Sequence, residues 1–522
     1  MSGTDPHPVP ICDDAVLEGL AADLAPFTVD AVHQAMGPMA AAALGRDDLV
    51  PGRRALRHAT SPEAVLARLW LLGAVVGRRA LDLAVPGVRT DGLQRLGLVT
   101  AAGQAPDDEV RALVDLRPIE SDDATWWLAS DLGEAVTGGP LRPDHVLGLG
   151  GASATLASWT PREEVGHALD MGTGSGVQAL YLSRHARQVT ATDLSARALG
   201  FARFNAALNA ACEGPFTGRR LDLRHGSLFE PVAAERFDLV VSNPPFVITP
   251  RAGRGGADVP FYEYRDGGLV GDAVVATVVR GLGDVLAPAG VGQLLGNWEH
   301  HAGEGWQDRV SSWLPAGLDA WVVQREVQDP AEYAETWARD GGHRPGTSAY
   351  DGLVERYLDD FAARGVEAVG LGVVTVRRPD DGEAAYRPRR RLEELTGPVG
   401  AEGPMGTVVA EVLAAERWLA TTTDDALLDA RLVTAADVSE ERFGVPGAED
   451  PQVVLLRQGG GLQRAVRADT ALAALVGACD GELTVGQIVS ALASLLDEPV
   501  GDLTGRVLPS VRRLVADGLL RR

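Results

Sequence analysis

The middle of this 522-residue chain predicts an α/β fold built on an open, mostly parallel sheet. Three apolar runs point to it. Val165 to Met171 runs into Asp170-Met171-Gly172-Thr173-Gly174-Ser175-Gly176, and Val177 to His185 then takes helical spacing. Gln188 to Thr192 is a short β-prone run that ends in Asp193. Phe237 to Ser242 reads as a buried strand and closes on Asn243-Pro244-Pro245-Phe246. Each run meets its turn at the carboxyl end, where open α/β sheets bind their ligands.

Glycines at alternate positions let the first strand turn sharply into a helix and let the backbone approach a ligand closely. The spacing is Gly-x-Gly-x-Gly with an acidic residue ahead of it, not the Gly-x-Gly-x-x-Gly of dinucleotide enzymes, which favours a cofactor without a pyrophosphate. Asp193 lies about twenty residues beyond Gly172, where a carboxylate can take a ribose hydroxyl pair. It can also cap the helix that follows, but Ser195 is itself a good N-cap, which leaves Asp193 free for the ligand. At the third turn, proline cannot continue the strand because it lacks the donor and fixes its own backbone angle. The turn therefore holds an Asn amide and backbone carbonyls rigidly beside an aromatic face. Such groups suit a flat, NH2-bearing target.

Taken together, residues 150 to 325 resemble the class I S-adenosylmethionine-dependent methyltransferases of the small-domain group. That group includes release-factor glutamine methyltransferases and RNA base N-methyltransferases. The resemblance implies a Rossmann-like class I sheet and S-adenosylmethionine as cofactor. It places Asp170, Gly172, Thr173, Gly174 and Gly176 in the glycine-rich cofactor motif, and Asp193 on the ribose. Asn243, Pro244, Pro245 and Phe246 fall on its catalytic motif, with Asn243 also bordering the cofactor. Tyr264-Arg265-Asp266-Gly267-Gly268 is similar to the segment that follows this motif in the glutamine enzymes. Two positions depart from the pattern. Phe246 stands where many members have tyrosine, and Ser227 where many carry an aspartate to the adenine amino group. Ser227 or a backbone carbonyl is then the adenine contact.

The chemistry implied is an in-line displacement in which alignment does much of the work. The Asn243 side-chain oxygen and the Pro244 carbonyl accept from the acceptor NH2, Phe246 stacks on its plane, and no general base is assigned. Asp170 is expected to orient the methionine end of the cofactor, partly through water. Gly150 to Thr155 is read as a flexible connection, with contact to the cofactor carboxylate as the alternative.

The length suggests about three domains. Residues 1–149 are expected to be mostly helical with a small β extension: helices over Ala15 to Leu24, Glu63 to Val76 and Asp91 to Val99, in an order that resembles a winged helix. Val110 to Leu116 and Thr125 to Ala129 read as strands, with one of Trp126 and Trp127 in the core. Residues 150–378 are expected to form the methyltransferase core, including a strand over Leu318 to Val323, a helical insertion at 329–361 and a last antiparallel strand over Val366 to Arg377. Residues 379–406 read as a polar linker. Residues 407–522 end in three amphipathic helices and a final apolar turn, like a second winged helix.

The net charge is −24, the sequence holds no lysine, and 45% of residues are hydrophobic, an ordinary globular content. A lysine nucleophile is excluded. Strong acidity argues against broad non-specific nucleic-acid binding. Arg387 to Arg391, and Arg251 with Arg254, are candidate local patches, the first more readily a solvated linker. Cys12, Cys212 and Cys479 show no metal or disulfide spacing; with no signal-peptide pattern at the start and no transmembrane-length run, the expected compartment is the cytoplasm. Three substrate readings remain. An RNA base exocyclic amine is preferred, a protein glutamine amide is the alternative with small-molecule methylation its weaker variant, and a cofactor-binding regulator acting through protein or nucleic-acid contacts of its winged helices is the third. Arginines 251, 254 and 265 beside Asn243 favour the base, and an acidic groove favours protein.

Overall fold

The computed structural model describes residues 9–121, 124–139, 141–211, 220–251, 262–380, 388–400, 403–447 and 451–522. Arg254, Arg387 and Cys212 lie outside them. The chain divides into two compact units. One comprises Met1–Leu156, Glu164–Pro315 and Glu326–Arg378; the other comprises Ala157–Glu163, Ala316–Arg325 and Pro379–Arg522.

In the first unit, six strands carry the site: β1 Val165–Met171, β2 Ala186–Asp193, β3 Arg220–His225, β4 Phe237–Ser242, β5 Leu286–His301 and β6 Val366–Arg377. Their order is β6-β5-β4-β1-β2-β3. The pairs β5·β4, β4·β1, β1·β2 and β2·β3 are parallel, and β6 runs antiparallel beside β5 as expected from the sequence, although it does not close the sheet. The chain order reverses between β1 and β4, which makes the crevice outside their carboxyl ends the natural ligand site. Register sets its walls. Met171 pairs with Ser242, so the glycine loop and the Asn-Pro-Pro turn leave the sheet side by side. The Ser242 hydroxyl donates to the Met171 carbonyl at 2.8 Å and ties the two ends together.

Helix α1 Val177–Leu182 follows the glycine loop, and α2 Ala196–Ala210 starts on a Ser195 cap whose hydroxyl accepts from Ala198 N–H. Asn205 and Asn209 on α2 face the edge of strand Ala124–Ser130. Asn205 accepts from Ala129 N–H at 2.7 Å and donates to its carbonyl at 2.9 Å; Asn209 does the same for Trp127 at 2.9 and 2.9 Å. Two amides thus imitate a neighbouring strand in a buried place where water cannot serve. Replacing Asn205 by Leu is expected to cost about 2–4 kcal/mol in denaturant unfolding, because Ala129 and the Ser175 carbonyl lose their partners together.

Trp126 and Trp127 are both buried, where the sequence reading placed only one in the core. Their strand is covered on both faces. Trp126 packs on Val177, Leu180 and the Tyr181 ring, while Trp127 enters the amino-terminal core and donates from Nε1 to the Phe27 carbonyl at 2.8 Å. The amino-terminal region otherwise runs as helix Pro62–Leu66 with a π turn Ala67–Leu71, strand Val76–Gly77, helices Arg78–Ala84 and Arg89–Arg95, and strands Val99–Ala101 and Glu109–Ala112. The helix expected to reach Val76 therefore stops earlier, because Val76 pairs with Val110. The strands make a three-stranded antiparallel sheet.

The insertion expected at 329–361 is a helical pair, α3 Pro330–Asp340 and α4 Ser348–Arg364. Asp329 caps α3 by accepting from Ala331 and Glu332 N–H, and Gly365 ends α4 at φ 68°. Tyr333, Tyr357 and Phe361 bury themselves against Ile248 and Val369.

In the second unit, the segment read as a linker contains a strand, Arg390–Glu394, parallel to Asp319–Gln328. Asp319 to Arg325, read as part of the core, groups with this unit. Arg391 and Glu393 are not solvated: Arg391 pairs with Asp517, and Glu393 accepts from Arg464 at 2.6 and 2.9 Å and from Trp321 Nε1 at 2.7 Å. Arg391 is thus paired within the unit, while Arg389 and Arg390 of the same run are exposed. The expected carboxyl-terminal helices are Thr470–Gly477, Val485–Leu496 and Val500–Ala516, and the final apolar turn is a strand, Leu520–Arg521, paired with Arg431–Thr434. An antiparallel meander over Val438–Phe443, Val453–Gln458 and Ala465–Ala468 was not read from the sequence.

Candidate active site

The glycine loop turns because Gly172, Gly174 and Gly176 sit at φ 75°, 56° and 90°, a region that residues with a Cβ rarely adopt. A Cβ on Gly174 would meet nothing within 4 Å, and one on Gly172 would meet only the Asn243 carbonyl at 4.0 Å. The loop thus presents bare backbone to open space. Gly176 serves packing instead, since its Cβ would stand 3.2 Å from Ala202 Cα on α2.

Asp170 fastens this loop from behind. Its Oδ2 accepts from the Thr173 hydroxyl at 2.5 Å and from Ala179 N–H at 2.9 Å, while Oδ1 is buried without a partner. The residue is wholly buried and does not line the cavity, and the contacts of its Oδ2 hold the loop in position. Burial pushes its pKa up to about 7, against the bonds from Thr173 and Ala179. The sign follows from the folded pKa being raised above the ordinary 3.8. Destabilisation by this group is absent below about pH 4, grows from there to about pH 7 and is complete above it. Thermal melting is expected to show the parent losing stability relative to Asp170→Asn between about pH 4 and pH 7, with no further change above that. A constant difference would contradict the assignment.

Asp193 closes the other side of the loop. Its Oδ2 accepts from Gly174 N–H and its Oδ1 from Ser195 N–H, both at 2.8 Å. It is therefore not free, as the sequence reading had it, but each oxygen keeps a second lone pair. Burial raises its pKa, and the Ser195 and Gly174 bonds oppose the shift. Ser227 lines the same cavity, as do Leu194, 67% exposed, and Leu228, held at φ 48°.

A continuous cavity of about 620 Å³ joins these groups to Asn243, Pro244 and Pro245, a size suited to a small organic ligand. Met171, Gly172, Thr173 and Gly174 line it together with Glu263, Tyr264, Asp266, Gly267 and Gly268. Asn243 Oδ1 is buried and has no hydrogen-bond partner. Such an oxygen is costly to bury and awaits a donor. Phe246 does not line the cavity; its ring meets Trp337 edge-on at 6.3 Å and 81°. The stacking of Phe246 on a ligand expected from the sequence thus gains no support from this cavity, since the ring packs against Trp337 of α3. The segment before β1 is also firmer than a flexible connection: Gly151–Trp159 is helical, and Leu147, Gly148 and Ser153 line the cavity.

Sequence reasoning assigned no role to His145, Leu194, Leu228, Glu263 or Tyr264, all of which line the cavity. Leu194 had a signal, an apolar residue directly after the ribose acid. His145 and Leu228 had none. Of the three arginines whose presence beside Asn243 would favour a nucleobase, Arg251 pairs with Asp266 at 3.1 Å and Arg265 is buried against Asp340 at 2.7 Å. Neither lines the cavity.

The residues fit S-adenosylmethionine: bare loop backbone for the amino-acid end, a carboxylate with spare lone pairs for the ribose, and apolar Leu194 and Leu228 beside Ser227 for a flat base. Comparison with known proteins agrees. Residues 148–253 match the methyltransferase small domain family, and residues 24–113 and 410–522 match two domains of unknown function, DUF7059 and DUF7782. The release factor glutamine methyltransferase of Geobacter sulfurreducens is 38% identical over 128 residues, 23% of this chain and 42% of that protein. The ribosomal protein uL3 glutamine methyltransferase of Bradyrhizobium diazoefficiens is 32% identical over 160 residues, 29% of this chain and 46% of that protein. The tRNA1(Val) (adenine(37)-N6)-methyltransferase of Klebsiella pneumoniae is 36% identical over 98 residues, 17% of this chain and 37% of that protein. The matched stretch spans less than half of each of these three relatives. With its sheet order, glycine loop and Asn-Pro-Pro turn, the core of this chain is similar to the S-adenosylmethionine-dependent methyltransferases of the small-domain group, whose family model residues 148–253 match.

Proposed function

We propose that the chain transfers a methyl group from S-adenosylmethionine to the nitrogen of a planar NH2 group, and that the acceptor is a side-chain amide of a protein, of the glutamine kind. The buried, unpartnered Asn243 Oδ1 on a turn stiffened by two prolines carries this reading. When bound, S-adenosylmethionine supplies a methyl group on a sulfonium. Asn243 Oδ1 and the Pro244 carbonyl accept the two N–H bonds of the acceptor and aim its nitrogen along the displacement line. As that nitrogen becomes positive both bonds strengthen, which stabilises the transition state beyond the ground state.

The choice of an amide over a nucleobase is supported by charge. Among the described residues the cavity is lined by Glu263, Asp266 and Asp193 and by no arginine, whereas a polyanionic substrate needs a positive footprint. A nucleobase amine is the second reading, favoured by the likeness to the tRNA adenine enzyme. The terminal units are then substrate- or protein-contacting modules; the helix and strand order in both supports a winged-helix reading. A cytoplasmic place goes with this function, supported by unpaired Cys12 and Cys479. No helix among the described residues is long and apolar enough to cross a membrane.

The test is incubation of the purified chain with radiolabelled S-adenosylmethionine and a cell extract, followed by separate protease and nuclease digestion. Label lost to protease supports the amide, and label lost to nuclease moves the reading to the base. Cofactor binding without transfer to any fraction overturns both in favour of a regulator.

A further inference from the structure

We propose that the ring of Tyr264, rather than that of Phe246, is the flat wall against which the acceptor group is held, and that the helical insertion α3–α4 fixes this ring in place. The assignment rests on the N-methyl transfer reading. Tyr264 lines the cavity together with Asn243, Pro244 and Pro245, while Phe246 is turned onto Trp337 of α3. The two segments are locked in register. Val247 N–H donates to the Arg265 carbonyl at 2.9 Å, Phe246 and Asp266 form an antiparallel bridge, and a Cβ on Gly267 would stand 3.2 Å from the Pro245 carbonyl. The chain that carries Tyr264 thus lies directly on the Asn-Pro-Pro turn.

The ring itself is held on several sides. Its hydroxyl donates to Asp340 Oδ2 at 3.3 Å, and the rings of His145, at 66°, and Tyr262, at 52°, stand at centroid distances of 5.8 Å each. Arg265 lies 4.5 Å over Tyr262 and 6.0 Å from Tyr264, and donates to Asp340 Oδ2 at 2.7 Å and to the Trp337 carbonyl at 3.1 Å. Asp340 and Trp337 both belong to α3, and Tyr333 of α3 accepts from Ile248 N–H at 2.9 Å, just past the turn. The insertion therefore grips both strands of the acceptor wall. Burial keeps the Tyr264 phenol protonated well above neutral pH. An aromatic face presents negative charge density, which suits a planar nitrogen that turns positive as it is methylated. Asp340 is a positioning residue, since it acts through Tyr264 and Arg265.

The experiment measures initial rates with tritiated S-adenosylmethionine and two acceptor probes, N-acetylglutamine N-methylamide and adenosine, and measures cofactor Kd separately. For whichever probe the parent methylates, Tyr264→Leu is expected to raise the acceptor KM about tenfold with cofactor Kd within about twofold, the size of a lost desolvated π contact. Tyr264→Phe, which keeps the ring but loses the bond to Asp340, should raise KM less than Tyr264→Leu, and so should Phe246→Leu. Asp340→Ala should raise KM in the parent but add little in the Tyr264→Leu background, a non-additivity that bare loss of stability does not produce. An unchanged KM in Tyr264→Leu, or a larger rise in Phe246→Leu, overturns the assignment while leaving methyl transfer intact. If the parent labels neither probe nor any macromolecule, the N-methyl transfer reading fails and takes this assignment with it.

Discussion

Asn243→Ala is expected to lower kcat by about 10²–10³-fold, the loss seen when one preorganised transition-state hydrogen-bond partner is removed. Cofactor affinity should stay within about threefold, because the amide's unpartnered Oδ1 is not needed to hold the glycine loop. Single-turnover rates at saturating cofactor, set beside equilibrium dialysis with labelled cofactor, separate the two quantities. The asymmetry follows from structure: Ser242 anchors the turn to Met171 through its own hydroxyl, so truncating Asn243 leaves the backbone where it was. A matched fall in rate and affinity would mean that Asn243 serves the cofactor instead.

Asp193→Ala should show the opposite split. Two backbone donors, Gly174 N–H and Ser195 N–H, lose their acceptor, and the ribose loses its carboxylate. Hydrogen bonds to a charged group are worth about 1.5–3 kcal/mol each, so cofactor Kd should weaken on the order of 10²-fold or more. The rate at saturating cofactor should fall much less. Asp193→Asn keeps the shape but turns one acceptor into a donor facing a backbone N–H, and it should recover little of the affinity. Near-parental affinity in either variant would move the ribose contact elsewhere in the cavity.

Local chemistry explains which parts of this site were legible in the sequence. Glycines at φ 75°, 56° and 90° are readable because few other residues tolerate those angles. Asn243-Pro244-Pro245 is readable because proline must end a strand. Strands β1, β2 and β4 announced themselves as apolar runs, and the antiparallel β6 did so through Val369, Leu371, Val373 and Val374. What the sequence concealed depends on long-range packing. Phe246 sits in the right motif, yet Trp337, far along the chain, decides where its ring goes. Asp170 looks like a ligand contact, but its Oδ2 turns inward to Thr173 and Ala179. Arg391 looks solvated until Asp517 on the last helix pairs with it. Trp126 and Trp127 obey strand alternation, but both faces of their ribbon are covered. Apart from Asp170, whose partners lie three and nine residues away, the residue type was read correctly and its partner was not local.

The most direct measurement is the chemical form of the transferred methyl group. Labelled product from the extract reaction would be hydrolysed in strong acid and the volatile fraction assayed for methylamine. A methylated side-chain amide releases its label as methylamine, and the same reaction with Asn243→Ala should release almost none. Label released as methanol would place the methyl on a carboxylate oxygen and contradict transfer to nitrogen. Label retained on a purine would keep nitrogen transfer but replace the protein amide with a nucleobase.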